Sequence, residues 1–165
     1  MSDHEPASPP APARRPNGAR ALATLGRFLA DDGWRPTPAG PAAFSMAYSG
    51  EAGAFTLRAE VLVEAEQLVI IAEAPTRVPA ERLPAAAEYV CRACSGLYVG
   101  SLELDFATGV ARARCGLDFE GEPLSPRLIR NALAITVRLM ETYMPGLARV
   151  VAGEAPRAVI GEIEG

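Results

Sequence analysis

Cys91-Arg92-Ala93-Cys94 sets two thiols three residues apart, the spacing used by dithiol redox pairs and by one half of a zinc site. A redox pair of the thioredoxin kind sits at a helix N-terminus, where the helix dipole favours thiolate. Here the pair falls in the last turn of a predicted helix, where the dipole opposes it. On that helix Leu83, Ala87, Val90, Cys91 and Cys94 follow helical spacing as one stripe, so both sulfurs are expected inside the core. A zinc site needs four ligands, and only Cys115 is left to join the pair, with no histidine available in the body of the chain. These are therefore read as core cysteines, each replacement by alanine costing about 1–2 kcal/mol as a small core truncation.

Glu60, Glu64, Glu66 and Glu73 are the other group with chemical potential, since paired carboxylates perform acid–base work. They flank an expected turn, and charges in that position form a solvated face. Gly50 and Gly53 mark a turn, with no glycine pattern of the kind that cradles phosphate before a helix. All 16 basic residues are arginine and the single histidine is His4. Schiff-base lysine, P-loop lysine, Ser-His-Asp and His-rich metal chemistry are thereby excluded from the body of the chain. Neither a cofactor nor a metal is expected. The missing lysine fits an Ala-, Arg-, Gly- and Pro-heavy composition of the kind a GC-rich genome encodes.

With 165 residues and a formal charge of −4, the chain is sized for one domain and carries no basic cluster, so nucleic acid is not an expected partner. No run of 18 apolar residues occurs, so no membrane span is expected. The start is acidic and Pro-rich without an apolar h-region, and a cytoplasmic location is the default expectation. Residues 1–18 hold five prolines among Ala and Ser and are expected to form a disordered, dispensable tail, with one domain over 19–165.

Elements must position these groups. Leu22, Leu25, Phe28 and Leu29 predict a helix over 19–32, ended by Gly33 and packed upon by Trp34. Pro36, Pro38 and Pro41 predict a loop. Three strands follow: Phe44, Met46 and Tyr48 alternate, then Phe55, Leu57, Ala59, Val61 and Val63, then 68–74. A two-residue turn at Ala65-Glu66 would pair Val63 with Leu68 and Val61 with Ile70. Leu62, Val69 and Ile71 then share the opposite face of the sheet. Such a patch is covered by the protein's own elements or a dimer mate, or it binds a client. A second helix over 79–95, or from Pro84, leads to a hairpin. Tyr98, Leu102, Leu104 and Phe106 face one side of its first strand. Ala111, Ala113, Cys115 and Leu117 face the same side of its second. Ser125-Pro126 starts a long helix to Tyr143, Pro145 ends or kinks it, and Pro156 opens a last helix.

The hairpin register is specified further by charge. Pairing Glu103 with Arg114 and Asp105 with Arg112, residue numbers summing to 217, gives the loop Ala107-Thr108-Gly109-Val110 and two opposite-charge cross-strand pairs. The 215 register leaves Asp105 facing Val110. The expectation is 217. Leu102, Leu104, Phe106, Ala113 and Cys115 then form the floor under the long helix.

The resulting order is α-βββ-α-ββ-α, an α+β fold with a five-stranded antiparallel sheet and helices on one face. Several local patterns go with it: LATLGRFLADDGW at 22–34, the strand 61–74 ending in EAP, GLYVGSLELDF at 96–106, the Ser-Pro-led long helix, and YMPGLARVVAGEAPRAVIGEIEG at the C-terminus. Together they resemble the YbjN family, which is similar in fold to type III secretion chaperones. The resemblance implies a non-enzymatic protein- or peptide-binding module, a chaperone-like or regulatory adaptor that works as a homodimer without nucleotide. Leu62, Val69 and Ile71 are the expected partner-binding residues. A carboxylate- or thiol-dependent enzyme and a purely structural homodimer are the alternatives, separable by whether the molecule has an apolar groove or a closed polar pocket.

Overall fold

The computed structural model describes residues 16–165. The described residues form four α-helices and six strands in the order α1 (Pro16–Asp31), β1 (Thr37–Pro38), β2 (Ala43–Gly50), β3 (Gly53–Leu62), β4 (Gln67–Arg77), α2 (Leu83–Ser95), β5 (Ser101–Leu104), β6 (Val110–Asp118), α3 (Pro126–Ala152) and α4 (Pro156–Glu164). One antiparallel sheet runs β1-β2-β3-β4-β6-β5. It has six strands rather than the expected five. Thr37 pairs with Ser45 and Pro38 with Phe44, adding a short edge strand where only a loop was expected. Proline is tolerated there because an edge strand need not donate on its outer side.

Period-two alternation decides the faces. Phe55, Leu57, Ala59 and Val61 of β3, Leu68, Ile70 and Ala72 of β4, and Ala111, Ala113 and Cys115 of β6 are all buried. α1 and α3 lie over this side, α2 and α4 pack on α3 and on each other, and α2 also packs on β5. Ser125 caps α3, its hydroxyl accepting from the Leu128 N–H at 3.3 Å, with Pro126 in the first turn. Of the two outcomes expected at Pro145, an end or a kink, the end does not occur: the helix continues past Tyr143 to Ala152 and stops at Gly153, φ 122°. α2 is rolled relative to the predicted stripe. Ala86, Tyr89 and Ala93 are its buried residues, and the Tyr89 hydroxyl donates to the Tyr143 carbonyl at 2.8 Å.

α1 begins at Pro16, three residues before the expected start at Ala19. Gly18 is buried, and a Cβ there would collide with the Val63 carbonyl, so only glycine lets the helix approach. The remaining tail, 1–15, lies outside the described residues. The β3–β4 register also differs: Val61 pairs with Leu68 and Ala59 with Ile70, leaving a four-residue connection, 63–66. Glu66 explains it. This residue takes a left-handed conformation, φ 52°, and is 2 % exposed. Its carboxylate accepts the N–H groups of Asn17 at 3.1 Å and Gly121 at 2.9 Å. The solvated-face expectation thus fails for Glu66, while Glu60 and Glu73 sit in ion pairs with Arg58 and Arg112. A shift of two residues preserves facing, so Leu62, Val69 and Ile71 stay on the uncovered side.

The hairpin adopts the 215 register, with Glu103 opposite Arg112 and Leu104 opposite Ala111. Asp105 faces Val110, whose carbonyl accepts the Asp105 N–H at 2.9 Å. The 217 expectation failed because Asp105 is occupied with the turn. Its carboxylate accepts from Ala107 N at 2.8 Å and Thr108 N at 3.1 Å, bonds that hold its pKa below the usual carboxylate value. The arginines still find carboxylates: Arg112 reaches Glu103 directly opposite at 3.3 Å and Asp105 on the diagonal at 3.6 Å, and Arg114 reaches Glu103 on the diagonal at 2.6 Å. β5 ends at Leu104, so Phe106 is 59 % exposed in the turn instead of forming the floor, and Tyr98 lies before the strand in solvent.

Candidate partner-binding surfaces

The helix-free side of the sheet carries the three residues singled out by sequence. Leu62 is 40 % exposed, and Val69 and Ile71 are half-buried. Glu60 pairs with Val69, and Arg58 pairs with Ile71, which pairs in turn with Arg114. Val69 and Ile71 of β4 and Leu62 at the end of β3 form a narrow apolar stripe, flanked by guanidinium and carboxylate groups. Beside Val69 stands Gly116 of β6, exposed and without a side chain. The gap is a shallow depression of about 220 Å³ between Gln67 and Asp118. Among the described residues no helix covers the stripe.

A second surface was missed by sequence reasoning. The β3–β4 ladder stops at Thr56–Glu73, and β4 then shifts register before Arg77 pairs with Val110. Pro75 lies in the irregular segment and has no N–H to offer a neighbour. Where the strands part, a groove of about 520 Å³ opens onto α3. Phe55 forms one wall, Pro75 and Val78 the other, and Met140, Met144, Leu147 and Val151 the floor. Thr76 and Arg77 contribute the only polar side chains of the lining. The groove's β2–β3 end is fixed by Glu141 of α3, which accepts the Ala52 N–H at 2.7 Å. The Tyr48 ring stacks on Phe55 with centroids 4.6 Å apart. At the other end the Arg82 guanidinium donates to the Val150 carbonyl, tying the segment after β4 to the end of α3.

The cysteines are not together in the core. Cys91 is exposed, Cys94 is half-buried, and Cys115 is 3 % exposed, with burial pushing its thiol pKa up. The rolled α2 explains Cys91, which occupies the solvent side opposite Tyr89 and Ala93. Cys91→Ala is accordingly expected to cost less than about 0.5 kcal/mol, the range of ordinary surface substitutions, in place of the core cost expected from sequence. Denaturant titration of the variant checks this. Among the described residues no three His, Cys, Asp or Glu side chains gather where they could hold a metal ion. No helix of the described residues is long and apolar enough to cross a membrane.

Fold and surfaces define a class: an antiparallel α+β module whose groove over α3 is lined mainly by apolar side chains. The family model of YbjN, described as "Putative bacterial sensory transduction regulator", matches residues 21–149, and the chain belongs to that family. The crystal structure of YbjN from E. coli is similar in fold, with TM-score 0.55, 16% identity, and coverage of 78% of this chain and 92% of that one. The ExsC–ExsE complex contains a similar chain, with TM-score 0.54, 13% identity, and coverage of 78% and 93%. The HopA1–SchA chaperone–effector complex matches with TM-score 0.49, 18% identity, and coverage of 78% and 95%. No curated protein matches the chain in sequence.

Proposed function

We propose that the protein is a non-enzymatic, protein-binding adaptor of chaperone-like type that holds an extended client segment and works as a homodimer. The observation that carries this reading is the parting of β3 from β4 over an apolar helix floor. An extended segment alternates its side chains, so it can drop every second one toward Met140, Met144 and Leu147 while its backbone follows the unladdered start of β3. Methionines suit such a floor because their unbranched, polarisable side chains adapt to different occupants. A fold neighbour solved as a two-protein complex, ExsC–ExsE, supports a protein partner. The lining's lack of carboxylate, thiol and imidazole counts against catalysis there.

The test fills the groove. Ala148 is exposed on α3 and lines it. Ala148→Trp is expected to keep the wild-type melting temperature and to lower capture of the native-lysate partner by about tenfold or more, as loss of a central anchor does. Equal capture by both proteins defeats the groove as client site.

The Leu62, Val69 and Ile71 stripe is the second partner-facing surface, an apolar centre with a charged rim. Leu62→Asp is expected to weaken dimerisation or client capture by about 1–2 kcal/mol, with monomer stability nearly unchanged because the side chain is already 40 % exposed. Sedimentation and pull-down on the same preparation measure both. A stability loss without a binding loss removes the stripe from the interface.

A further inference from the structure

Cys94 does something unusual for a half-buried thiol: it covers the outer edge of the sheet. β5 is the terminal strand, paired with β6 on one side only. On its other side, the Leu102 N–H donates to the Cys94 Sγ at 3.2 Å, and the Cys94 thiol donates to the Leu102 carbonyl at 3.4 Å. One sulfur therefore serves both backbone groups of a residue in a four-residue edge strand, doing what a further strand would do. Cys91, one helical turn earlier, has its thiol in solvent. The exposed sulfur and the edge-covering sulfur are neighbours on α2.

The geometry points to Cys91 and Cys94 as a reversible thiol-modification site, closed to an intramolecular disulfide by a low-molecular-weight disulfide, with release of the outer edge of β5 as the consequence. In the first step the Cys91 sulfur, having lost its proton to solvent, attacks one sulfur of the small disulfide. A Cys91–sulfur bond forms, the small disulfide's S–S bond breaks, and one small thiolate leaves. In the second step the Cys94 sulfur, also deprotonated, attacks the Cys91 sulfur and expels the second small thiolate. Two protein thiols are oxidised, one small disulfide is reduced to two thiols, and the two protons released are taken up by the leaving thiolates.

Residues three apart in a helix have Cβ atoms about 5–6 Å from each other, and a disulfide needs about 4 Å. Closure therefore has to tighten the last turn of α2, which is held by Ser95 Oγ–H donating to the Arg92 carbonyl at 2.7 Å and by Leu97 N–H donating to the Cys94 carbonyl at 3.2 Å. Because that turn must tighten before the sulfurs can bond, the second step is the slower one. Once Cys94 is in the disulfide it has no S–H to give the Leu102 carbonyl, and its sulfur turns toward Cys91. Leu102 is left with an open N–H and C=O on an edge strand, a template for an added strand. Cys115 is an internal control, since it is buried in the sheet's helix-facing side.

The experiment uses the full chain, folded, with glutathione disulfide as the probe. Peptide mapping is expected to show a Cys91–Cys94 disulfide and a free Cys115. Exchange of the Leu102 amide hydrogen is expected to rise by about tenfold, the loss of one hydrogen bond, and to fall again after dithiothreitol. In Cys91→Ala the Leu102 amide should stay protected with or without glutathione disulfide. In Cys94→Ala it should exchange fast throughout, and if that variant does not fold, Cys91→Ala alone decides. A reaction that stops as a glutathione adduct on Cys91, closure that leaves Leu102 exchange unchanged, or no reaction in the folded protein each overturns the inference.

Discussion

Glu66→Ala is expected to lower folding stability by about 2–6 kcal/mol, since each of two buried N–H groups left without an acceptor costs about 1–3 kcal/mol. The carboxylate is 2 % exposed and joins three separate parts of the molecule. It accepts from Asn17 in the first turn of α1, where the positive end of the helix dipole favours a negative charge, and from Gly121 in the connection between β6 and α3. The Glu66 carbonyl also accepts the Phe119 N–H at 3.0 Å. Alanine leaves both carboxylate-bound N–H groups without an acceptor in a closed site, and unmade buried bonds cost more than made ones contribute. Glu66→Gln keeps the shape but has one acceptor oxygen where two are used, so it should fall between alanine and wild type. Glu66→Gly should lie about 1 kcal/mol above alanine, because glycine removes the left-handed strain at φ 52°. Urea titrations of the three variants give the order. Alanine within 1 kcal/mol of wild type, or glycine below alanine, refutes the account.

The same residue shows why part of the fold was legible and part was not. Alternation along β3, β4 and β6 placed Leu57, Ile70 and Ala113 inside and Leu62, Val69 and Ile71 outside, because facing depends only on parity. Registers were missed twice, at 63–66 and at 105–110, and both times a carboxylate had turned to bind backbone N–H groups. Cross-strand charge pairing is worth about 0.2–1 kcal/mol per pair, and in the observed register Arg112 and Arg114 still reach Asp105 and Glu103 on the diagonal. Turn capping therefore decided the pairing. Five apolar positions at helical spacing made Cys91 look buried. Tyr89 overruled them, since a tyrosine that can both fill the core and reach the Tyr143 carbonyl sets the roll of α2.

The groove was illegible for a different reason. Its walls come from the start of β3, the end of β4 and the second half of α3, segments that no local pattern connects. Two signals existed. Pro75 directly follows the predicted strand 68–74, marking where laddering must fail, and Met140 and Met144 lie four apart on one face of α3. Neither says groove until the topology places β3 beside β4. Leu62, Val69 and Ile71 were visible because they are adjacent on neighbouring strands, and their uncovered position follows from where α1 and α3 lie.

Gly109→Ala is expected to cost about 3 kcal/mol and to reach the groove from outside it. Gly109 has φ 70°, a left-handed conformation that costs an L-residue about 1–2 kcal/mol. A Cβ would also collide with the Val78 carbonyl, and overpacking against backbone costs about 1–3 kcal/mol more. Both penalties act because the turn cannot simply move. The Gly109 N–H donates to the Asp105 carbonyl at 2.7 Å, and the Gly109 carbonyl accepts the Val78 N–H at 2.8 Å. The second bond holds the chain just after β4, and Val78 is a groove wall. Pushing the hairpin away therefore displaces Val78, so client capture should fall along with stability. Phe106→Ser, in the same turn but exposed, should change neither by much. Melting curves and capture assays on both variants separate the cases. A Gly109→Ala protein of wild-type stability would show that the turn accommodates a side chain, and one that is destabilised yet captures client normally would detach Val78 from the binding surface.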